Sequence, residues 1–169
     1  MAAITLRAMT EKDQEAMVAI LRSDRVAETF ILPAFSDDEQ AARLFRRLMA
    51  LSRDGKIYVR GAYDGELLVG FINQVDRAAT GIEIGYAVSP DKWGRGYATA
   101  MLRAAIAELF AMGYAAVRCG YFEGNVASRR VMEKCGMLPV DEIEEIEYRG
   151  EIRKCLYRII INGSSHQPE

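Results

Sequence analysis

One stretch near the middle of the chain constrains the fold most, because a strand, a glycine loop and a helix follow one another there. Alternating apolar residues predict a strand from Ile82 to Val88. Apolar residues at helical spacing run from Met101 to Phe110, and Gly113 is suited to the end of that helix. The loop between strand and helix contains Gly94 and Gly96. A chain built around such a unit belongs to the mixed α and β proteins.

Further strands are predicted on both sides of this unit. Apolar patterns typical of strands occur at residues 4–8, 56–63, 67–75, 115–121, 143–148 and 152–161. Asp64-Gly65 and Arg149-Gly150 are turn sequences that indicate hairpins. Because a helix connects the strand at 82–88 with the strand at 115–121, we expect these two to be parallel, whereas the early strands are antiparallel.

Helix boundaries are indicated by capping residues. One helix follows the approximate capping box of Thr10 and Asp13, and a second opens with Ser36 and Glu39 and ends near Gly55. Another lies between the cap residue Asn125 and Gly136, and residues 25–33 read as a loop.

The length and the charge of the chain narrow its class. Its 169 residues contain no linker or repeat, which predicts a single domain at 1–161 and a polar tail at 162–169. The formal net charge of −2 disfavours a nucleic-acid partner. No apolar run approaches the ~20 residues of a membrane span, and the N-terminus lacks the apolar core of a signal peptide. We therefore expect a cytoplasmic protein that has no membrane partner.

Histidine and cysteine usage excludes several kinds of active site. The single histidine, His166, lies in the polar tail, which disfavours Ser-His-Asp catalysis, Cys-His catalysis and a zinc site. The three cysteines, Cys119, Cys135 and Cys155, are well separated and form no Cys-x-x-Cys motif. We interpret them as reduced, mostly buried thiols rather than as a redox or metal site, and we expect no metal.

The glycine loop is suited to an anion. The first turn of a helix carries unpaired N–H groups and the positive end of the helix dipole, and glycines keep side chains away from that backbone. The alternative is a tight turn without a ligand. Gly94 and Gly96 lack the third glycine of a dinucleotide-binding loop, and no Gly-Lys-Ser/Thr sequence follows them. Support for hydride transfer and for ATP hydrolysis is therefore weak.

Three linked motifs resemble the general N-acetyltransferase (GNAT) superfamily. Trp93-Gly94-Arg95-Gly96-Tyr97-Ala98 is similar to its acetyl-CoA loop, Gln/Arg-x-x-Gly-x-Gly/Ala, although Trp93 departs from the first position. Glu83-Ile84-Gly85-Tyr86, Asn125-x-x-Ser128 and the segment 133–137 resemble the branch that contains the ribosomal-protein alanine N-acetyltransferases.

The resemblance implies a fold and a cosubstrate. The fold is α+β, with a mixed, mostly antiparallel sheet that splays between two parallel strands and with helices on both faces. Pantetheine of acetyl-CoA would pair with the backbone near Val88. The loop residues implied to hold the pyrophosphate or its surroundings are Trp93, Gly94, Arg95, Gly96, Tyr97, Ala98 and Thr99. Arg95 would add charge to a phosphate or stay solvated, and Asn125 would offer its amide to pantetheine.

Acetyl transfer to an amine needs a base, because an ammonium with a pKa near ~10.4 is protonated at neutral pH. Without a usable imidazole, a carboxylate is the simplest choice, and Glu83 lies on the strand that approaches the acetyl group in the family. The alternative is that Glu83 is structural or positions the substrate. Strand alternation places Glu83, Gly85 and Ala87 on one face and Val88 on the other, unless a bulge intervenes.

Positions 128 and 132 bear on the proton donor to the leaving thiolate. Many relatives place a tyrosine at the position of Met132, and methionine cannot donate a proton. The similar branch suggests Ser128, whose alternative is an ordinary first-turn helix residue. An acidic run covers residues 141–147, and we interpret it as a solvated strand face in preference to a rim that attracts amines.

The acceptor is left open between three hypotheses. The first is a primary amine acetylated by direct transfer in a ternary complex, with a protein N-terminus suggested by the similar branch. The second is a small molecule such as a polyamine or an aminoglycoside. The third is a module that binds acetyl-CoA without catalysis, which the methionine at position 132 makes plausible. The sequence leaves the oligomeric state open, with a homodimer as a candidate.

Overall fold

Seven strands and five α-helices make up the computed structural model, which describes residues 3–78 and 81–163. The strands are β1 (Thr5–Arg7), β2 (Val59–Asp64), β3 (Leu67–Arg77), β4 (Gly81–Val88), β5 (Ala116–Phe122), β6 (Leu138–Tyr148) and β7 (Glu151–Ile161). The helices are α1 (Gln14–Leu21), α2 (Asp24–Ala27), α3 (Asp38–Asp54), α4 (Tyr97–Ala111) and α5 (Val126–Lys134). Short 3₁₀ turns occupy Glu11–Asp13 and Pro90–Lys92.

The strands form one sheet in the order β1-β2-β3-β4-β5-β7-β6. All neighbours are antiparallel except β4 and β5, which are parallel. These two pair only from Gly81 with Ala116 to Glu83 with Arg118, although both strands continue beyond that point. A V-shaped opening, called the fork below, therefore separates residues 84–88 from residues 119–122. The expected mixed sheet that splays between two parallel strands is confirmed.

Helices cover both faces of the sheet, as expected. On one face α4 and α5 pack their apolar residues, among them Met101 and Met132, against Ile84 of β4. On the other face α1 and α3 pack residues such as Phe45 against Phe71 of β3. Full burial of one such side chain contributes roughly 1.5–3 kcal/mol, so the two cores hold the sheet from both sides.

Alternation along β4 follows the predicted pattern. Ile82, Ile84 and Val88 belong to the core under α4 and α5, whereas Ala87 belongs to the opposite core. The irregularity in this region lies in β3, where the register shifts between Gln74 and Asp76. The alternation of β4 itself is therefore uninterrupted.

Of the two predicted capping boxes, the structure confirms the first and contradicts the second. Asp13 accepts a hydrogen bond from the Thr10 N–H at 2.7 Å, which confirms the first box, although a 3₁₀ turn precedes α1. The second prediction is wrong by one residue. Asp37, not Ser36, caps α3 by accepting from the Gln40 N–H at 2.9 Å, because Asp37 has the extended backbone of a cap residue and a carboxylate acceptor.

The predicted loop at residues 25–33 is partly wrong, because α2 occupies its start. Ser23 Oγ accepts from the Val26 N–H, and four residues are too few for helical periodicity to show in a sequence. The rest of the segment is anchored by Tyr148 of β6. Its hydroxyl donates to the Ala27 carbonyl at 2.8 Å and accepts from the Leu32 N–H at 3.2 Å.

The C-terminal hairpin turns at Arg149 and Gly150, as predicted, and both have positive φ angles of 52° and 80°. Strand β6 begins at Leu138, five residues earlier than predicted, because an irregularity after Pro139 breaks its alternation.

Cys119, Cys135 and Cys155 are free, buried thiols. His166 lies outside the described residues. None of the helices in residues 3–78 and 81–163 is long and apolar enough to span a membrane.

Candidate active site

Two cavities open at the fork. The larger, of about 1010 Å³, is lined by Glu83 and Arg118 among others, and the smaller, of about 380 Å³, is lined by Val88 and by most of the glycine loop. Among the described residues, four line both cavities: Thr29, Phe30, Tyr86 and Ser128. Ligands that fill the two cavities would therefore meet beside Tyr86 and Ser128.

The glycine loop ends at an open helix N-terminus. Gly96 is the cap residue of α4, has a φ of 83°, and offers no side-chain cap. A Cβ added at Gly94 or Gly96 would meet no atom within 4 Å, and the first turn of α4 contains no acidic residue. The N–H groups of this turn and its positive dipole end thus face unfilled space, which suits an anion such as a phosphate.

Trp93 joins the loop to the end of β4. Its indole Nε1 donates to the Val88 carbonyl at 2.8 Å, and the Arg25 guanidinium lies 4.6 Å from the centre of its ring. The Tyr97 hydroxyl donates to Asp64, so the side chain of Tyr97 is tied to the β2–β3 hairpin. Arg95 is exposed and is not among the described residues that line either cavity, which favours the solvated alternative for its side chain.

Asn125 and Ser128 come together at the start of α5. Asn125 Oδ1 accepts from the Ser128 N–H at 3.2 Å, which confirms the predicted cap, and both residues line the smaller cavity. Ser128 Oγ lies 2.9 Å from the Tyr86 hydroxyl. A tyrosine hydroxyl is protonated at neutral pH, and burial raises the pKa of Tyr86 further above its usual value.

Tyr86 is a residue of the site that the sequence analysis missed. It is part of the motif Glu83-Ile84-Gly85-Tyr86, but no role was assigned to it. Strand alternation places it on the same face of β4 as Ile84 and Val88, and this signal could have identified it. The side chain of Met132, by contrast, is 0% exposed and packs in the core under α4. The hydroxyl groups at the meeting point of the two cavities are therefore those of Tyr86 and Ser128, together with that of Thr29.

Glu83 lies at the closed end of the fork. Its Oε2 is 3.3 Å from Arg118 Nε, and its side chain is only 20% exposed. Burial raises the pKa of the Glu83 carboxyl, the Arg118 guanidinium opposes the rise, and Asp76, Glu144 and Glu142 add to it, so the pKa lies above its usual range. A carboxylate with a raised pKa is a stronger base than an exposed one.

The acidic run of β6 divides between two faces. Glu142 and Glu144 line the larger cavity, whereas Asp141, Glu145 and Glu147 do not, because alternate residues of a strand point to opposite sides. Glu142 and Glu144 are exposed, in agreement with the interpretation as a solvated face, although they also line the cavity. No group of His, Cys, Asp or Glu in the described ranges is arranged to hold a metal ion.

The family follows from comparison of the sequence with known proteins. Residues 3–138 match the family model described as an acetyltransferase (GNAT) domain, which covers well over half of the chain. The chain belongs to the GNAT acetyltransferase family. As a GNAT protein it is an acetyl-CoA-dependent N-acetyltransferase, and the open N-terminus of α4 fits the phosphates of that cosubstrate.

Several known proteins are similar to this GNAT chain. An uncharacterized N-acetyltransferase, YoaA of Bacillus subtilis (strain 168), is 27% identical over 154 residues, which covers 86% of this chain and 85% of the relative. A GNAT acetyltransferase from Bacillus anthracis has a TM-score of 0.81 at 22% identity and covers 94% of each chain.

Two further solved structures share the GNAT fold. RimL, a ribosomal L7/L12 alpha-N-protein acetyltransferase in complex with coenzyme A, has a TM-score of 0.81 at 17% identity and covers 95% of each chain. Spermidine N-acetyltransferase from Vibrio cholerae, in complex with CoA and spermine, has a TM-score of 0.78 at 15% identity, with 94% of this chain and 95% of that chain covered. At these identities the two likenesses show the fold alone.

Proposed function

We propose that this enzyme acetylates a primary amine by direct transfer in a ternary complex, with acetyl-CoA in the smaller cavity and the amine in the larger. The observation that carries the proposal is the junction of the two cavities beside Tyr86 and Ser128. An anion-binding helix end lies on one side of this junction, and a half-buried carboxylate, Glu83, lies on the other. Direct transfer needs both reactants to meet in such a place.

The smaller cavity supplies the contacts that acetyl-CoA needs. The N–H groups of Tyr97, Ala98 and Thr99 at the start of α4 would bind the pyrophosphate, since no side chain caps them within the described part of the chain. The backbone of Val88 would pair with the pantetheine amides, and the indole of Trp93 already holds its carbonyl in place. The Asn125 amide lines the same cavity and would offer its NH₂ group to pantetheine while its oxygen caps α5.

Glu83 would take the proton of the incoming ammonium, directly or through one water. The neutral amine then attacks the acetyl carbon, and backbone N–H groups near Val88 would stabilise the tetrahedral oxyanion. As the C–S bond breaks and the thiolate leaves, the nitrogen gives up its remaining extra proton to water, which yields the neutral amide. Glu83 and Ser128 both line the larger cavity, so the base and the residue beside the leaving thiolate would both lie near the acetyl carbon.

Ser128 would stabilise the departing thiolate of coenzyme A. The Tyr86 hydroxyl lies 2.9 Å from Ser128 Oγ and can donate to it, which leaves the serine proton free to point at the sulfur. The conjugate thiol has a pKa near ~8.5, so hydrogen bonding to the thiolate suffices and full proton transfer is not needed.

We expect Ser128→Ala to slow acetyl transfer while leaving acetyl-CoA affinity nearly unchanged. Loss of one hydrogen bond to a charged group costs about 1–3 kcal/mol, or roughly 5- to 150-fold in rate. Single-turnover measurements under conditions where chemistry limits the rate would test this. Tyr86→Phe is the matched variant, and the effects of the two substitutions should not add if Tyr86 acts through Ser128. A Ser128→Ala variant as fast as the parent would contradict the role.

The acceptor proposed first is a protein N-terminus, because the motifs around Glu83, Asn125 and Ser128 resemble the ribosomal-protein branch and the fold matches that of RimL. One observation favours a polyamine as the second candidate. Within residues 3–78 and 81–163, the larger cavity is lined by the carboxyl groups of Asp76, Glu83, Glu142 and Glu144 and by one cation, Arg118. Such a lining attracts acceptors that carry more than one positive charge.

A panel of acceptors would separate these candidates. Release of the coenzyme A thiol would be followed with peptides that begin with alanine or serine, with spermidine and with an aminoglycoside, and each product would be weighed by mass spectrometry. Peptide N-acetylation supports the first candidate and spermidine acetylation the second. A protein that binds acetyl-CoA but releases no thiol with any amine would contradict the enzymatic proposal.

A further inference from the structure

We propose that Arg118 is the positioning residue for Glu83, holding a fixed positive charge beside its carboxylate at the closed end of the fork and balancing its negative charge. This inference rests on the proposed role of Glu83 as the base. Glu83 and Arg118 face each other in the last register pair before β4 and β5 separate. Their side chains therefore meet at the floor of the larger cavity, which both of them line.

Arg118 is itself held in place from two sides. Its guanidinium lies over the Tyr157 ring at 3.7 Å from the ring centre, and its Nη1 donates to Glu142 Oε2 at 2.7 Å. Only 26% of its side chain is exposed. Stacking and a charge-assisted hydrogen bond together leave the guanidinium little freedom. Arg118 thus presents a fixed positive charge to Glu83.

The contact between the two residues leaves Glu83 available to a ligand. Arg118 Nε lies 3.3 Å from Glu83 Oε2, yet this buried nitrogen makes no hydrogen bond within the described part of the chain. A bidentate pair would occupy both carboxylate oxygens. Arg118 Nε supplies positive charge but makes no hydrogen bond to Glu83. The carboxylate can therefore still accept a proton from an ammonium group.

Charge balance around Glu83 depends on this arginine. The titratable groups of β3, β5, β6 and β7 that interact electrostatically with Glu83 are Asp76, Arg118, Cys119, Glu142, Glu144 and Cys155, of which Cys119 lies in the core on the opposite face of the sheet. Burial raises the pKa of Glu83, and Arg118 is the cation that opposes this rise. Without it, burial and three neighbouring carboxylates would favour the protonated acid, which cannot act as a base.

Replacing Arg118 by methionine tests the inference, because methionine keeps much of the apolar stem and removes the charge. An opposite charge within ~4–6 Å lowers a carboxyl pKa by about 1–3 units, so we expect the acid limb of kcat/KM to move up by about one pH unit or more. At a pH on that limb this is a loss of roughly tenfold or more. Arg118→Lys should move the limb back toward the parent position.

The titration of Glu83 can also be measured in the absence of catalysis. Carbon-13 NMR of the free protein follows the titration of the Glu83 carboxyl, which is assigned by its absence in Glu83→Gln. We expect its titration to move to higher pH in Arg118→Met. The matched control is Arg60→Met, which breaks the ion pair between Arg60 and Glu108 outside the cavity and should leave the Glu83 titration unchanged.

The outcomes distinguish this inference from the proposed function. If Glu83→Gln is slow but Arg118→Met retains the parent's acid limb and carboxyl titration, the Arg118 inference is overturned and the base stands. If Glu83→Gln keeps the parent rate, the base assignment fails, and the role of Arg118 as its positioning residue fails with it. A titration that moves up in Arg118→Met and back in Arg118→Lys, together with a slow Glu83→Gln variant, supports both.

Discussion

Gly96→Glu should abolish acetyl-CoA binding. The substitution places a carboxylate at the N-terminus of α4, where the structure leaves free N–H groups and unfilled space. Like charges in contact cost several kcal/mol, and each ~1.4 kcal/mol weakens affinity about tenfold, so we expect a loss of at least ~100-fold. Isothermal calorimetry with acetyl-CoA would measure it directly.

Gly96→Ala is the matched control for this variant. Gly96 has a φ of 83°, where any L side chain costs about 1–2 kcal/mol, so both variants carry the same backbone strain. Alanine adds no charge, and its Cβ would meet no neighbouring atom. We expect Gly96→Ala to retain most of the affinity and to melt at a temperature close to that of Gly96→Glu. A folded Gly96→Glu variant with parent-like affinity would falsify the placement of the pyrophosphate.

Glu83→Gln should lower the rate of acetylation by roughly 10²-fold or more at neutral pH, which is the usual contribution of a general base. The amide keeps the size of the side chain but cannot take a proton from an ammonium. Because the pKa of Glu83 is raised by burial, the parent rate should fall with decreasing pH at values above those of an ordinary glutamate. That acid limb should be absent from the residual activity of the variant. Steady-state rates across a pH series would show both effects.

Glu144→Gln is the control, because it removes a negative charge from the same cavity but keeps the proposed base, Glu83. Glu144 lines the same cavity and accepts a hydrogen bond from Tyr157, but it lies on β6 rather than at the floor of the fork. Its removal should change acceptor affinity far more than turnover. In both variants the affinity for acetyl-CoA should stay close to that of the parent, since neither residue lines the smaller cavity. If Glu83→Gln and Glu144→Gln slow the reaction equally, the cavity needs negative charge but no particular base.

Local features were predictable because their causes lie within a few residues. The cap at Asn125 and the turn at Gly150 depend on neighbouring backbone, and so does the helix that follows Gly96. The wrong predictions, the cap of α3 and the missed helix α2, also have local causes. Two adjacent cap candidates, Ser36 and Asp37, compete for one helix start, and α2 is too short for a periodic pattern.

Part of the site could be predicted from the sequence and part could not. Glu83 and Ser128 were assigned by resemblance to the family, and the structure places both of them at the larger cavity. Their partners were missed. Tyr86 meets Ser128 across 42 positions of sequence, and Arg118 meets Glu83 only because β4 and β5 pair in one register. No spacing within a single element predicts such contacts.

The sequence by itself therefore determined most of the elements and the glycine loop at the start of α4, because hydrogen bonding and periodicity act over one or two turns of chain. Tertiary structure alone decided where the fork opens, which glutamates of β6 line the cavity, and which residues hold Glu83 and Ser128. Those outcomes depend on strand register and on packing between distant segments, where a shift of one residue turns a side chain from one face to the other. The electrostatic environment of Glu83 arises in the same way, since its burial and its charged neighbours exist only once β3, β5 and β6 surround it.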